Sequence, residues 1–378
     1  MKNLKQISSL ALLAVLIAFS NSIQARVWRV NVLSNYNLAS QIYGNNYGGT
    51  ATNPVFNSIA SAQSSSLTNN NDTLYLEGCP VGSNHAGVTL VRPFVIIGTG
   101  YFLTLNANTS YDLLESRIVN MAFNVGSEGS QVIGLNFSSG YDENINVSNI
   151  TIKRCYFNPA TVITIAQNVS NITIAQNYFD NTTYTSSAIT FSGYGAPGNN
   201  VVIKNNIFKR PLLVVSGSTT YAISKCDNNT FDCPAITGAP SIKMLCSSFK
   251  NNIIKNSALT VNINNGIASA QVSYNTIASP TQLDTAATWN NKYVANMSNL
   301  FVNPTASTDG NYRLKSAAGV NYPGNDGAPR GAYGGSVISS RYTLSGNASI
   351  PVVYDITTTG VATQSGGLQV TIKARTIN

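Results

Sequence analysis

The stretches that decide the fold are Asn149–Phe157, NITIKRCYF, and Asn171–Phe179, NITIAQNYF. They are followed by Asn200–Phe208, NVVIKNNIF, and by Ile223–Phe231, ISKCDNNTF. Ser247–Ile254, SSFKNNII, and Gln271–Ile277, QVSYNTI, continue the series. Their terminal apolar residues are separated by 22, 29, 23, 23 and 23 residues, and the long step carries the Gly-Pro-rich insertion 193–198. Self-similarity at one period marks a repeat architecture.

Each unit reads as strand, turn, strand. Ile150 and Ile152, Ile172 and Ile174, and Val201 and Ile203 alternate with other residues at period two, the signature of a half-buried strand. The residue five before each terminal hydrophobe is Ile152, Ile174, Ile203, Cys226, Phe249 and Val272, an inward column. Two residues before the terminal hydrophobe stand Asn177, Asn206, Asn229, Asn252 and Asn275. Asparagine tolerates the left-handed backbone of a tight bend. Strands stack about 4.8 Å apart, so its amide can bond the equivalent amide of the next repeat. Cys155 holds this register in the first clear unit and should cap the ladder. Apolar residues at helical spacing over long segments are absent. The expectation is an all-β chain, a single-stranded right-handed parallel β-helix (a β-solenoid) with coils of about 23 residues.

These residues resemble the pectate-lyase-like right-handed β-helix superfamily, with its phrase N-x-x-I-x-x-N-x-F. Asn53-Pro-Val-Phe-Asn-Ser-Ile-Ala-Ser-Ala resembles an N-terminal cap helix, with Phe56, Ile59 and Ala60 on one face. Asp72–Gly78 and Phe94–Gly98 resemble opening strands, and Leu300–Pro304, Asn311–Lys315 and Arg330–Gly335 resemble a last coil. The likeness covers about Asn53 to Gly335. It speaks to fold rather than activity, because this fold hosts lyases, hydrolases, adhesins and passive surface proteins.

The remainder divides the chain. Lys2, Lys5 and the apolar run Leu10–Phe19 read as a signal peptide over residues 1–25, cleaved at Ala25/Arg26. Residues 26–72 form an entering strand and cap region, 73–338 the β-helix, and 339–378 a small hairpin-like cap or docking element. In that tail, Ile350–Ile356 and Leu368–Ala374 flank a Gly-Gly turn and resemble endings of surface proteins from gliding-type bacteria. The protein is expected to be exported, secreted or held at the cell surface, monomeric, and without a membrane span after cleavage.

Charged residues are 10% of the chain, while apolar residues are 43%, enough for a core. Net charge is +8, falling to about +6 once Lys2 and Lys5 leave. The basic residues are scattered, without the runs and interleaved aromatics of a nucleic-acid site, so only a mild attraction to anionic polymers follows. Five cysteines show no CxxC spacing, and His85 is the only histidine, which argues against a His-based zinc site. Cys226 and Cys233 stand either as a local bridge or as buried thiols.

Two readings compete for the outer surface. The first is a carbohydrate-binding or surface-structural protein without catalysis or cofactor, meeting a polysaccharide or cell-surface glycan. Its candidate contacts are Tyr156 and Tyr178 in one outward register, with Tyr184, Tyr194 and Tyr221 in loops. The second is a polysaccharide lyase acting on acidic, uronate-containing glycans, with calcium as a possible cofactor. Its candidate face is Asp180, Lys209, Asp232 and Lys255 beside Lys153, Lys204, Asp227 and Lys250. Surface ion pairing explains the same alternation of charge. The resemblance supplies no lyase signature: Arg92-Pro93-Phe94 is a fragment of Arg-x-Pro-x-x-Arg. The clustered aspartates and Gly-His-Gly of the polygalacturonase-like hydrolases are missing too. Asp142-Glu143, read as part of a loop from Ser138 to Asn144, is a further candidate for calcium.

Overall fold

The computed structural model describes residues 25–34, 49–50, 52–106, 109–138, 140–180, 187–192, 200–213, 222–236, 241–263, 271–283, 285, 287–302, 308–358, 368 and 370–376. Among these residues the chain is all-β with few helices. Its strands form an eleven-stranded, a nine-stranded and a five-stranded sheet, all parallel. The chain visits the three sheets in rotation. Gln131–Ile133, Asn136–Phe137 and Glu143–Ile145 lie in the first, second and third sheets, and Thr151–Lys153, Tyr156–Phe157 and Ile163–Ile165 lie directly on them. This arrangement is compatible with a β-solenoid.

Register follows the sequence repeat. Ile152 lies against Ile174, Ile174 against Ile203, and Ile203 against Cys226. The terminal hydrophobes make a second column: Phe137, Phe157, Phe179, Phe208 and Phe231 stack ring on ring, with successive centroids 4.9, 4.8, 4.8 and 5.1 Å apart. Sheet spacing and offset-stacking distance coincide, so one aromatic per repeat satisfies both. The Gly-Pro insertion 193–198 lies outside the described residues apart from its effect on spacing.

The asparagine column is continuous. Asn206 Oδ1 accepts from the backbone N–H (2.9 Å) and Nδ2 (3.1 Å) of Asn177, and Asn206 Nδ2 donates to the Ile174 carbonyl. The same pattern links Asn206 to Asn229, Asn229 to Asn252 and Asn252 to Asn275. The Cys155 N–H starts the column on Asn177 Oδ1, and Asn291 closes it by accepting from Asn275. The left-handed backbone expected at the ladder asparagines belongs to the residue before each: Arg154, Gln176, Asn205, Asn228, Asn251, Tyr274 and Asn290 have φ between 55° and 59°. The turn therefore divides the work. The first residue bends the chain, and the second turns its amide inward.

At the N-terminal end, Val27–Val30 pairs with Thr73–Leu76. The helix is shorter than expected, Ile59–Ser64, with Ser58 and Ser61 forming a reciprocal capping box. Its buried face is Ile59 and Ala62, whereas Ala60 is exposed and Phe56 instead bridges Val30.

The parallel stack ends at Lys292–Tyr293, well before Ser339. The segments around Leu300, Tyr312 and Arg330, expected as a last coil, are short 3₁₀ turns and loops that form a strap. The strap runs back along the stack. Arg330 Nη1 donates to the Asn275 carbonyl (2.7 Å), and the Gly331 N–H donates to the Asn251 carbonyl (2.7 Å). Asn205 Nδ2 donates to the carbonyls of Ala332 and Gly334, and Gln176 Nε2 to that of Ser339. Arg154 reaches the Asn347 carbonyl and Ser349 Oγ, and Asn347 Nδ2 donates to the Thr99 carbonyl. The residues that bend each turn are thus also among those that hold the strap. Beyond it, Pro351–Thr358 and Val370–Thr376 form an antiparallel hairpin.

Candidate functional site

The strap decides the fate of the tyrosine face. Tyr156 and Tyr178 are stacked neighbours, centroids 6.0 Å apart and rings 11° from parallel. Tyr178 is 1% exposed, covered by Phe102 and Tyr312. The outward column continues as Ile207, Thr230, Ile253 and Thr276, and Ile207 and Ile253 pack into the same cluster as Met297, Leu300 and Phe301. Of the two strand tyrosines expected to be exposed, Tyr178 is therefore internal and Tyr156 is half-buried. Tyr184, Tyr194 and Tyr221 lie outside the described residues.

The candidate charges do not converge either. Asp180, Lys209, Asp232 and Lys255 follow strands of the second sheet, whereas Lys153 and Lys204 lie in the first and Asp227 ends one of its strands. The bend at Asn205 separates the two groups. Along the second sheet the charges pair: Lys255 Nζ is 2.6 Å from Asp232 Oδ2, and Lys209 Nζ is 3.9 Å from Asp180 Oδ1. Tyr156 and Tyr312 donate their hydroxyls to Asp180 and Asp232, both at 2.8 Å. Burial, reinforced by the neighbouring Asp180, raises the Tyr156 phenol, and burial with Asp232 raises that of Tyr312. Lys255 also stands 5.4 Å over the Tyr312 ring.

On the first sheet, Asp227 accepts from Ser248 Oγ and from the Lys250 N–H (2.8 Å), and burial raises its carboxyl against those donors. Burial, with Arg154 and Lys204 nearby, lowers the Lys153 ammonium. These carboxylates face N–H, O–H and ammonium donors. That donor set does not fit calcium, which requires oxygen ligands directed at it.

Glu143 is not a loop ligand. It opens the strand Glu143–Ile145, is fully buried, and accepts from the Met121 N–H through Oε2. Desolvation raises its carboxyl well above the ordinary range. His85 is 1% exposed, with Nε2 2.9 Å from the Glu77 carbonyl, and burial lowers its imidazole. All five cysteines are free and buried, so Cys226 and Cys233 form no bridge. Among the described residues no group of three or more His, Cys, Asp or Glu could hold a metal, and no helix is long and apolar enough to cross a membrane.

Several arginines that raise the net charge are internal pins. Arg210 is fully buried and donates to the carbonyls of Pro159 and Thr161, while Arg117 donates to those of Cys79, Pro80 and Ser83. Five fixed donors suit a guanidinium to clamp converging carbonyls.

A concave feature that sequence reasoning missed lies near the N-terminal end. It is an open cleft of about 400 Å³ between the outer face of the first sheet and the segment 112–114. Tyr75, Glu77, Asn31, Thr99 and Asp112 are among its lining residues. Glu77 is held by Arg29 and by Asn31 Nδ2, the latter at 2.6 Å. Burial raises the Tyr75 phenol, and Glu77 and Asp112 add to the effect. The available signal was the alternation Tyr75, Leu76, Glu77, which sends an aromatic and an acid to the same outer face. No family model, curated protein or solved structure matches this chain.

Proposed function

We propose that this chain is an exported right-handed parallel β-helix that binds a glycan at the cell surface or outside the cell, without catalysis. The handedness follows from the strong preference for right-handed crossovers between parallel strands. Export follows from the signal-like segment 1–25 and the proposed cleavage at Ala25/Arg26. The helix Ile59–Ser64 serves as its N-terminal cap, since Ile59 and Ala62 join the core at that end.

The observation that carries the binding reading is the cleft at Tyr75. A tyrosine beside a carboxylate, an amide and a hydroxyl offers an apolar face and polar partners for a sugar's hydroxyl groups. Glu77, fixed by Arg29 and Asn31, is oriented as an acceptor. The uronate-lyase reading is weaker because Asp180 and Asp232 are occupied by Lys209, Lys255 and two tyrosine hydroxyls, while Lys153, Lys204 and Asp227 belong to a different sheet across the bend.

The test is binding of the protein starting at Arg26 to a panel of neutral and acidic polysaccharides, with Tyr75→Ala as the comparison. Retention of at least one glycan, weakened tenfold or more by Tyr75→Ala, supports the cleft. Binding that Tyr75→Ala leaves unchanged would move the site elsewhere. Calcium-dependent ultraviolet absorbance of unsaturated product from a uronate polymer would replace binding by lyase activity. No retention across the panel would leave a structural spacer as the role.

A further inference from the structure

Asp72 is a fully buried carboxylate where the entering strand meets the second. Its Oδ1 accepts from the Arg26 backbone N–H at 2.8 Å, and its Oδ2 accepts from Trp28 Nε1 and the Asn69 N–H, each at 2.8 Å. Among the described residues no side-chain cation forms an ion pair with it. The Arg26 guanidinium, the cation closest in sequence to these contacts, is turned onto the Trp28 ring, 6.0 Å from the centroid. A carboxylate withdrawn from water calls for a compensating positive charge.

We propose that Asp72 is a built-in counter-ion for the mature α-amino group, generated by cleavage between Ala25 and Arg26. This inference rests on the proposed export and cleavage. A processing peptidase would add one water across the Ala25–Arg26 peptide bond. The C–N bond breaks, Ala25 leaves as a carboxylate, and the Arg26 nitrogen becomes an ammonium at neutral pH. That nitrogen already stands at Asp72 Oδ1, so the amide hydrogen bond becomes an ion pair without rearrangement. Its position is fixed, because the Thr73 N–H donates to the Arg26 carbonyl at 2.7 Å and Val27 lies in register with Thr73. One residue of extended chain spans about 3.3–3.6 Å, so a terminus displaced by a single residue would lose the contact. The pair locks the first strand of the stack only in the processed chain.

The test starts from the chain carrying residues 1–25, exported by that segment, with the N-terminus of the product read by mass spectrometry. The expected first residue is Arg26. Its α-amino pKa, followed by amine-reactivity titration, should lie above the ordinary range of about 7.7–8.0. Acylation near pH 7.5 should then be tenfold or more slower than for a variant retaining Ala25 as its first residue. Asp72→Asn should return the Arg26 amine to ordinary reactivity. If Asp72→Asn fails to fold, the Ala25-retaining chain still supplies the comparison, because it keeps Asp72 and displaces only the charge. A mature terminus at another residue would overturn the cleavage reading and this proposal with it. A terminus at Arg26 with an ordinary pKa, equal in reactivity to the Ala25-retaining chain, would overturn the ion pair alone and leave export standing.

Discussion

Asn205 and Asn206 are adjacent in the chain and serve opposite sides of it. Asn206 turns inward, its Oδ1 taking both N–H groups of Asn177, while Asn205, at φ 55°, donates Nδ2 to the Ala332 and Gly334 carbonyls of the strap, each at 2.9 Å. The left-handed residue reverses the direction of the side chain across one peptide, so one turn both seals the interior and fastens the outer covering. Gln176 and Asn177 repeat this division of roles in the preceding repeat.

Asn206→Ala should destabilise the fold strongly. It leaves the Asn177 N–H and Nδ2 and the Ile174 carbonyl short of partners in a fully buried site. Each buried group left unpaired costs about 1–3 kcal/mol. Urea unfolding monitored by circular dichroism should show a loss of at least about 2 kcal/mol, with the slope unchanged if unfolding stays cooperative.

Phe179→Ala should cost about 3–5 kcal/mol, the range for an aromatic removed from a well-packed core. Phe179 stacks between Phe157 and Phe208 at 4.8 Å on both sides. Phe179→Leu should cost less, since it retains most of the volume. The same unfolding measurement checks both.

Arg154→Met should loosen the end of the strap while sparing the stack. The change removes donors to Gln176 Oε1, the Asn347 carbonyl and Ser349 Oγ. Limited proteolysis should cut near residues 345–350 at least several-fold faster than in the parent, with strand content unchanged by circular dichroism.

Stability should fall as pH rises through the range in which Asp309 titrates. Burial raises its carboxyl to about 6, opposed by donors that include Asn106 Nδ2 and the Ser345 N–H. The unfolded chain titrates near 3.9, so between about pH 4 and pH 6 the folded state holds the extra proton. The contribution is fully unfavourable above that window, at about 3 kcal/mol, and disappears below it. Glu143 acts in the same direction, since burial raises its carboxyl too. Unfolding midpoints at pH 4, 5, 6 and 7 should show this fall. In Asp309→Asn the fall should be smaller by about that amount, although the substitution also alters the local hydrogen bonds.

The repeat was legible because parallel stacking is a nearest-neighbour problem. Each residue meets its own counterpart one repeat away, so a Phe at position 208 and another at 231 announce their contact through spacing alone. The asparagine column was readable for the same reason. Asn291 escaped because its step from Asn275 is 16 residues instead of 23. The left-handed residue was misplaced by one, because either asparagine of an Asn-Asn pair tolerates that backbone.

What the sequence determined by itself was the parallel stacked core, the inward columns and the charge pairs, all set by local alternation repeated at a fixed period. What only the tertiary structure decided was which outer face meets solvent. An outward strand residue has the same spacing whether it is covered or exposed. Ile207 and Ile253 hinted at a covering, but nothing periodic links them to Phe301 or Tyr312. The strap is held by contacts between residues far apart in the chain, such as Arg154 with Asn347 and Asn205 with Ala332. Tyr312 of the strap, with Phe102, covers Tyr178, while the Tyr75 cleft stays open, because packing of a non-repeating segment depends on its three-dimensional path and not on any local pattern.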